Sequence, residues 1–326
     1  MSLVEKQANS PKVFLAPLAG ITDLPFRNLV LEFGADRVVS EMVATYDAVQ
    51  QRPSAQARRA LGIGSARTAI QIAGKDAPLM AKAAAICESS GAEIIDINMG
   101  CPAKKVTNGY AGSALMRDLQ GAKGIISAVR AAVSVPVTLK MRLGWDADSL
   151  NAPELARIAE GEGVSLVTVH GRTRSQFYKG HADWSQIGLV KRAVAIPVIA
   201  NGDITDIAAA QQALRQSNAD GIMIGRGAQG RPWLLDQVRC ALKGRPPNPA
   251  PMGWARLALV KRHYNAIVGF YDEPIGTRMA RKHLSWYMDA LPTPKVLRHA
   301  ILTETVPSRV LELIDNLPWQ AARVAA

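Results

Sequence analysis

The strongest constraint in this chain is a repeat of short β-branched runs and Ala-rich stretches, with chemically active residues at the end of each run. Eight runs read as strands, at residues 13–16, 37–42, 68–72, 94–98, 137–142, 166–170, 197–201 and 221–225. The segments between them are long enough for helices, most clearly 77–90, 119–132, 152–162 and 207–216. Such alternation implies a parallel sheet, and eight units favour a closed (β/α)8 TIM barrel over an open doubly wound sheet. The run ends read Ala16-Pro-Leu-Ala-Gly20, Gln71, Asn98-Met-Gly-Cys-Pro102, Lys140-Met-Arg142, His170-Gly-Arg172, Asn201-Gly-Asp203 and Gly225-Arg226. A barrel brings all of them to one mouth, whereas an open sheet would leave them in a row.

The pattern changes near Lys243. Gly244-Arg-Pro-Pro-Asn-Pro-Ala-Pro251 can continue neither strand nor helix. Beyond it, helical segments at 254–270, 275–289, 295–301 and 308–317 follow with no strand pattern. The expected organisation is an α/β barrel over residues 11–242 and a small all-α helical bundle over 243–326. The net charge is +12, and residues 243–326, with 12 Lys and Arg against 6 Asp and Glu, carry half of it. That concentration suits an anionic partner, although charge alone serves solubility equally well.

Other classes are disfavoured. Cys87, Cys101 and Cys240 form no CxxC pair, and five scattered histidines complete no zinc-ligand spacing, so no metal is expected. Sparse, odd thiols fit a reducing compartment. No apolar run approaches the ~20 residues of a membrane span, and Met1–Ser10 is polar without a signal-peptide core. The expectation is a cytoplasmic protein. Cys87 and Cys240 lie in helical stretches and read as inert buried thiols.

Strand alternation puts Lys140 on one face with Thr138 and Arg142, Asp96 with Asn98, and Thr168 with His170. Turned inward, these faces would give the mouth two cations, an imidazole, a carboxylate and the amides of Asn98 and Gln71. Buried cations ask for an anion; for Lys140 the alternative is a structural pair with Asp96 or Glu41. Phosphate is the natural anion, because barrels of this class bind it on the loops after strands 7 and 8, here Asn201-Gly202-Asp203 and Gly225-Arg226-Gly227. Gly225 to Gly230 also spells GxGxxG, but it closes the eighth unit instead of opening the first, and Arg245 stands where a dinucleotide fold needs an acid. Cys101 sits in a turn that Gly100 and Pro102 keep out of helix. No Ser/His/Asp or Cys/His motif points to acyl transfer, so proton donation is the expected role.

These residues resemble the dihydrouridine synthase family. The resemblance is carried by Ala16-Pro-Leu-Ala-Gly-Ile-Thr-Asp-Leu-Pro-Phe-Arg27, Gln71-Ile-Ala-Gly74, Ile95-Asp-Ile-Asn-Met-Gly-Cys-Pro-Ala-Lys-Lys-Val106, Ala111-Gly-Ser-Ala-Leu115, Thr138-Leu-Lys-Met-Arg142, Thr168-Val-His-Gly-Arg-Thr-Arg174, Ile199-Ala-Asn-Gly-Asp203 and Met223-Ile-Gly-Arg226. Met99 to Lys105 and Arg281-Lys-His-Leu-Ser-Trp-Tyr287 are most similar to the bacterial B-type branch. The resemblance implies FMN across the mouth against Pro17, Leu18 and Ala19, with Gln71 and Lys140 on the isoalloxazine ring. Its phosphate would lie on Asn201, Gly202, Asp203, Gly225 and Arg226. NADPH or NADH would act as diffusible reductant, hydride would pass to C6 of a uridine, and Cys101 would give a proton to C5. Asn98, Arg142 and His170 would hold the uracil or its flanking groups, with His170 also among the flavin contacts. The helical tail would grip tRNA through Arg278, Arg281 and Lys282, the target would lie in the D-loop, and the protein would act as a monomer. A solvated helix face is the bland reading of those three residues, and Trp286 and Tyr287 have core spacing. The alternative function is a flavin barrel acting on a free pyrimidine or dihydroorotate, which leaves the basic tail without a purpose.

Overall fold

The computed structural model describes residues 10–63 and 65–321. Its strands are β1 (Lys12–Leu15), β2 (Arg37–Val39), β3 (Val43–Ala44), β4 (Thr68–Ala73), β5 (Ile95–Met99), β6 (Val137–Arg142), β7 (Leu166–His170), β8 (Val198–Asn201) and β9 (Gly221–Ile224). All pair in parallel, and closure runs through β1 with β9, β1 with β2 and β2 with β4. The result is a barrel of eight staves, one of them broken. Of the run expected as a single strand over 37–42, only residues 37–39 are strand, as β2; β3 follows just past its end, and both pair with β4. Ser40 explains the break: its hydroxyl accepts the Gln71 N–H at 3.0 Å, so a side chain replaces the backbone in the ladder. The next residue turns its carboxylate to the Gly20 N–H.

Alternation sorts the side chains. Val13, Leu15, Ile70, Ile72, Ile95, Ile97, Val167 and Val169 face the surrounding helices and are fully buried among them. Phe14, Val39, Ala69, Leu166, Ile199 and Met223 form a separate apolar layer inside the barrel. Toward the C-terminal mouth the inner face becomes polar, and register sets its members side by side: Gln71 beside Asp96, Asp96 beside Thr138, Asn98 beside Lys140, Arg142 beside His170, His170 beside Asn201.

Aspartates fix the starts of the barrel helices. Asp23, Asp76, Asp118, Asp183 and Asp206 each accept a backbone N–H in the first turn, opening Leu24–Glu32, Ala77–Ser89, Leu119–Ala132, Trp184–Ala193 and Ile207–Ser217. Each such cap is worth about 1 kcal/mol. The tail helices Gly253–Tyr271, Glu273–Asp289, Lys295–Thr303 and Pro307–Asp315 have no side-chain cap and depend on packing. They share their own core, which includes Val260, Tyr264, Ile267, Leu284, Tyr287 and Ile314 and takes in Leu29 and Trp233 from the barrel. A Cβ at Gly276 would lie 2.5 Å from Val268 Cα, so the first two tail helices can cross this closely only with glycine there. The tail docks on helix Leu24–Glu32 through a cluster of the Phe26, His263 and His283 rings, in tilted and edge-on contact, and an Arg262–Glu32 ion pair of 2.7 Å. Among the described residues no helix is long and apolar enough to cross a membrane. Of the Met1–Ser10 segment considered above, only Ser10 lies among the described residues.

Candidate active site at the barrel mouth

The polar inner face opens into a cavity of about 730 Å³. The barrel residues expected at the flavin and uridine sites all line it: Cys101, Pro17, Leu18, Ala19, Gln71, Asn98, Lys140, Arg142, His170, Asn201, Gly202, Asp203, Gly225 and Arg226; the carboxylate expected with them, Asp96, does not. The volume lies within the range usual for cofactor and ligand sites.

Lys140 stands at the centre of the inner face. Its Nζ donates to Asn201 Oδ1 at 3.2 Å. The pairing with Asp96 or Glu41 weighed above does not form: Asp96 accepts from Gln71 at 2.7 Å and Thr138 at 2.5 Å, and Glu41 is taken by Gly20. Burial, followed by repulsion from Arg142, lowers the Lys140 pKa from 10.5 to about 8, against the attraction of Asp96. Asn201 is oriented by its own Nδ2, which donates to the Met223 carbonyl at 2.7 Å. Its Oδ1 is therefore an acceptor, and His170 Nδ1 at 2.9 Å must carry the proton it shares with that oxygen. Burial and then Lys140 push the His170 pKa well below 6.5. The imidazole is neutral, with Nε2 unprotonated and 3.5 Å from Arg172 Nη1.

Cys101 is held by a chain of bonds from the barrel interior. Asn98 Oδ1 accepts the N–H groups of Gly100 at 3.2 Å and Cys101 at 3.0 Å, forming the turn on which the thiol sits. Asn98 Nδ2 donates to Gln71 Oε1 at 2.8 Å, and Gln71 Nε2 donates to Asp96. Burial raises the Asp96 pKa against the Thr138 and Gln71 hydrogen bonds. Arg142 binds the same turn from the other side, donating to the carbonyls of Gly100 at 2.9 Å, Thr173 at 2.7 Å and Phe177 at 2.9 Å. Burial lowers its pKa to about 10, which leaves it charged at neutral pH. The Asn98 carbonyl oxygen is thus spent on shaping the Cys101 loop, and Arg142 ties that loop to the one after β7. The Cys101 carbonyl accepts from Ser113 N–H at 3.1 Å and Ser113 Oγ at 2.9 Å, and a Cβ at Gly112 would stand 2.8 Å from it.

At the opposite end lie the loops after β8 and β9. Asp203, at φ +52°, is gripped by a residue that sequence reasoning gave no role: Arg172, 2% exposed, donates to both carboxylate oxygens at 2.8 and 2.6 Å. Burial would raise the Asp203 pKa; the Arg172 bonds and the Ala182 N–H at 2.8 Å outweigh it and hold the carboxyl below its usual value. With its side chain so engaged, Asp203 can offer an anion only its backbone N–H. Gly225 opens the 3₁₀ turn Arg226–Ala228, whose leading N–H groups have no acceptor within the turn. Arg226 is half exposed and only weakly held by Asp203 at 3.3 Å. A Cβ at Gly227 would lie 2.5 Å from the Ile204 carbonyl, so the two loops pack directly on each other.

Arg278, Arg281 and Lys282 do not line the cavity. Arg278 is exposed, and Arg281 donates at 3.3 Å to the carbonyls of Thr303 and Glu304, tying two tail helices together. Lys282 reaches the rim, where its Nζ is 3.1 Å from the position of a Cβ on Gly20. Tyr287 is buried with its hydroxyl 3.0 Å from His263 Nδ1.

Comparison with known proteins places the architecture in context. Histamine dehydrogenase from Rhizobium sp. 4-9 superimposes with a TM-score of 0.54 at 12% identity, covering 94% of this chain and 63% of that one. 2-Naphthoyl-CoA reductase gives 0.53 at 13% identity, covering 72% of this chain and 50% of that one. At such identities the likeness concerns the fold alone. In sequence, a Rhodobacter capsulatus protein named "Probable tRNA-dihydrouridine synthase" is 53% identical over 307 residues, 94% of either chain. A Pseudomonas putida protein named "tRNA-dihydrouridine synthase B" is 46% identical over 286 residues, 88% of this chain and 85% of that one. The family profile described as dihydrouridine synthase matches residues 14–322, beyond Tyr287 where the recognisable motifs end. This chain belongs to the dihydrouridine synthase family.

Proposed function

We propose that this protein reduces a D-loop uridine of tRNA to dihydrouridine, using FMN in the barrel cavity and NADPH as electron donor. The observation that carries the reading is the cavity's donor set. Among the described residues no carboxylate forms an ion pair with Lys140, Cys101 is a thiol on a braced turn, and the Gly202 and Gly225 loops form an anion-accepting end, all in one cavity. These groups fit FMN. The backbone of Gly202, Asp203 and Gly225 with the Arg226 guanidinium would take its phosphate, Pro17 to Ala19 would flank the ring, and Gln71, His170 and Lys140 would meet its polar edge. A Cβ at Gly225 would meet Ala16 and Leu18 at 3.6 and 3.7 Å, so glycine there keeps this part of the cavity open.

When bound, FMN supplies the hydride that C6 of the uracil ring receives, after reduction by NADPH. The chain's own residues do the rest. Cys101 donates its proton to C5 and is reprotonated from water, so the C5–C6 double bond gains two hydrogens. Asn98 and Arg142 fix the turn that aims the thiol, and each can turn its remaining N–H to the uracil. Lys140 stabilises negative charge at the ring edge. We assign catalysis to residues 11–242 and RNA grip to 243–326, with Arg278 and Lys282 free for phosphates and Arg281 bracing the helices that carry them. A flipped-out uridine would enter the mouth. Since cavity and docked tail come from one chain, a monomer suffices, and three unpaired thiols suit the cytoplasm.

The test is anaerobic spectrophotometry of the purified holoprotein. NADPH should bleach the flavin band, and tRNA lacking dihydrouridine should restore it; a bleached protein that tRNA leaves bleached contradicts the proposal.

A further inference from the structure

The mouth carries a feature that the reaction as derived does not use. Loops on the C-terminal side of successive strands present aromatic rings, each beside a cation. Tyr46, after β3, is 56% exposed and has the Arg52 guanidinium 5.2 Å from its centroid. Tyr110, after β5, is 69% exposed with Lys75 Nζ, after β4, at 5.5 Å. Trp145, after β6, holds Arg117 at 4.8 Å and Arg174 at 4.5 Å. Tyr178, after β7, is 45% exposed with Arg226, after β9, at 5.1 Å.

In barrel order these sites form an arc from β3 round to β9. The tail stands beside the remaining arc, where Lys282 reaches the Gly20 loop after β1. The cavity with Cys101 opens inside the arc, with Tyr178 and Arg226 on its wall. One of these rings, Tyr110, and the Phe177 ring that packs edge-on against Tyr178 are also held in an unusual backbone state. Tyr110 has φ +58° and Phe177 has φ +55°, a left-handed conformation that bulky residues rarely adopt unless their surroundings impose it. Tyr110 belongs to the loop that begins at Cys101, so its ring is set relative to the thiol.

An exposed ring beside a cation suits an unstacked base followed by a phosphate. Every base has a π face, and such stacking tolerates any sequence. The arc is rich in cations: Asp47 takes Arg52 at 2.9 Å and Asp203 takes Arg226 at 3.3 Å, whereas no carboxylate pairs with Lys75, Arg117 or Arg174 among the described residues. We infer that this arc is a track for the unstacked nucleotides flanking the uridine in the cavity, with bases on Tyr110 and Tyr46 and phosphates on Lys75 and Arg117. The inference rests on the functional reading above and deepens it: the barrel, and not the basic tail alone, grips single-stranded RNA.

The experiment measures binding of labelled tRNA lacking dihydrouridine to the full flavin-loaded chain, by fluorescence anisotropy over a range of salt. Tyr110→Ala and Tyr46→Ala should each weaken binding about 5-fold or more, with the salt slope unchanged, because a stacking contact and no charge is lost. Tyr110→Phe should bind within about 2-fold of the parent, since it keeps the ring. Lys75→Ala should lower the salt slope by about 0.7, one single-strand phosphate contact. Thermal unfolding checks that the variants, altered at exposed rings, remain folded. Both alanine variants binding within about 2-fold of a tRNA-binding parent would overturn the track and leave the functional reading standing. A parent chain that binds no tRNA would remove that reading, and the track with it.

Discussion

Lys140 offers the most quantitative test of the site. Its pKa falls from 10.5 to about 8 because burial, and then Arg142, disfavour its charge. Each tenfold change in protonation equilibrium is about 1.4 kcal/mol. Holding the ammonium inside the barrel therefore costs the flavin-free fold about 3 kcal/mol at neutral pH. Lys140→Met removes that cost and fills similar space, but loses the 3.2 Å bond to Asn201, worth about 1 kcal/mol. The variant should be more stable than the parent without flavin by about 2 kcal/mol, measured by urea unfolding at pH 7. The sign follows from linkage. Below pH 8 the lysine is charged in both states and the penalty is complete; between about 8 and 10.5 the folded state holds fewer protons than the unfolded one. Parent stability should rise relative to the variant through that window. Reduced FMN should reverse the ranking at neutral pH, because the parent alone gains a contact between its ammonium and the negative charge at the ring edge. A Lys140→Met protein no more stable than its parent without flavin would refute the argument that this lysine is held for an anion.

Cys101→Ala should abolish dihydrouridine formation while retaining flavin, read from product analysis and the visible spectrum; a folded variant that loses flavin would contradict the proton-donor role. Asp203→Asn should lower unfolding free energy by about 2–3 kcal/mol at pH 7, somewhat below the value for a fully buried pair because Asp203 is 24% exposed. Since its folded pKa is depressed, that contribution is present above the ordinary carboxylate pKa and should vanish as pH falls through the folded value; an effect independent of pH would count against the ion pair. Gly225→Ala should fold normally yet weaken FMN binding roughly 10-fold or more, while Gly227→Ala, whose Cβ would meet the Ile204 carbonyl at 2.5 Å, should destabilise the fold by about 1–3 kcal/mol. Calorimetric binding and thermal unfolding separate the two, and equal behaviour would contradict the placement of these glycines.

The barrel was legible because period-2 alternation carries two messages at once: Ile95 and Ile97 must face apolar helices, so Asp96 and Asn98 must face inward. The break between β2 and β3 was not, because the alternation continues through Ser40 while its hydroxyl takes the ladder bond. Membership of the cavity was readable from strand ends, but the use of each side chain was not. Asn98 and Arg142 look in sequence like free polar groups, and only the folded turn shows them bonded to Gly100 and Cys101. Arg172 stood at a strand end with no role assigned, because its partner Asp203 is 31 residues away and meets it only when the β7 and β8 loops lie side by side. The tail's helices followed from the Pro-rich break and the loss of strand pattern. That Arg281 binds carbonyls while Lys282 reaches the rim depends on how two helices pack, which spacing alone does not specify.

The most direct test of the central claim is nucleoside mass spectrometry of unmodified tRNA incubated with the purified chain, FMN and NADPH. The account predicts one uridine gaining two hydrogens, only with NADPH present and not with Cys101→Ala. A yellow, NADPH-oxidising protein that leaves this tRNA unchanged, and also leaves unchanged tRNA from cells lacking dihydrouridine, would contradict it.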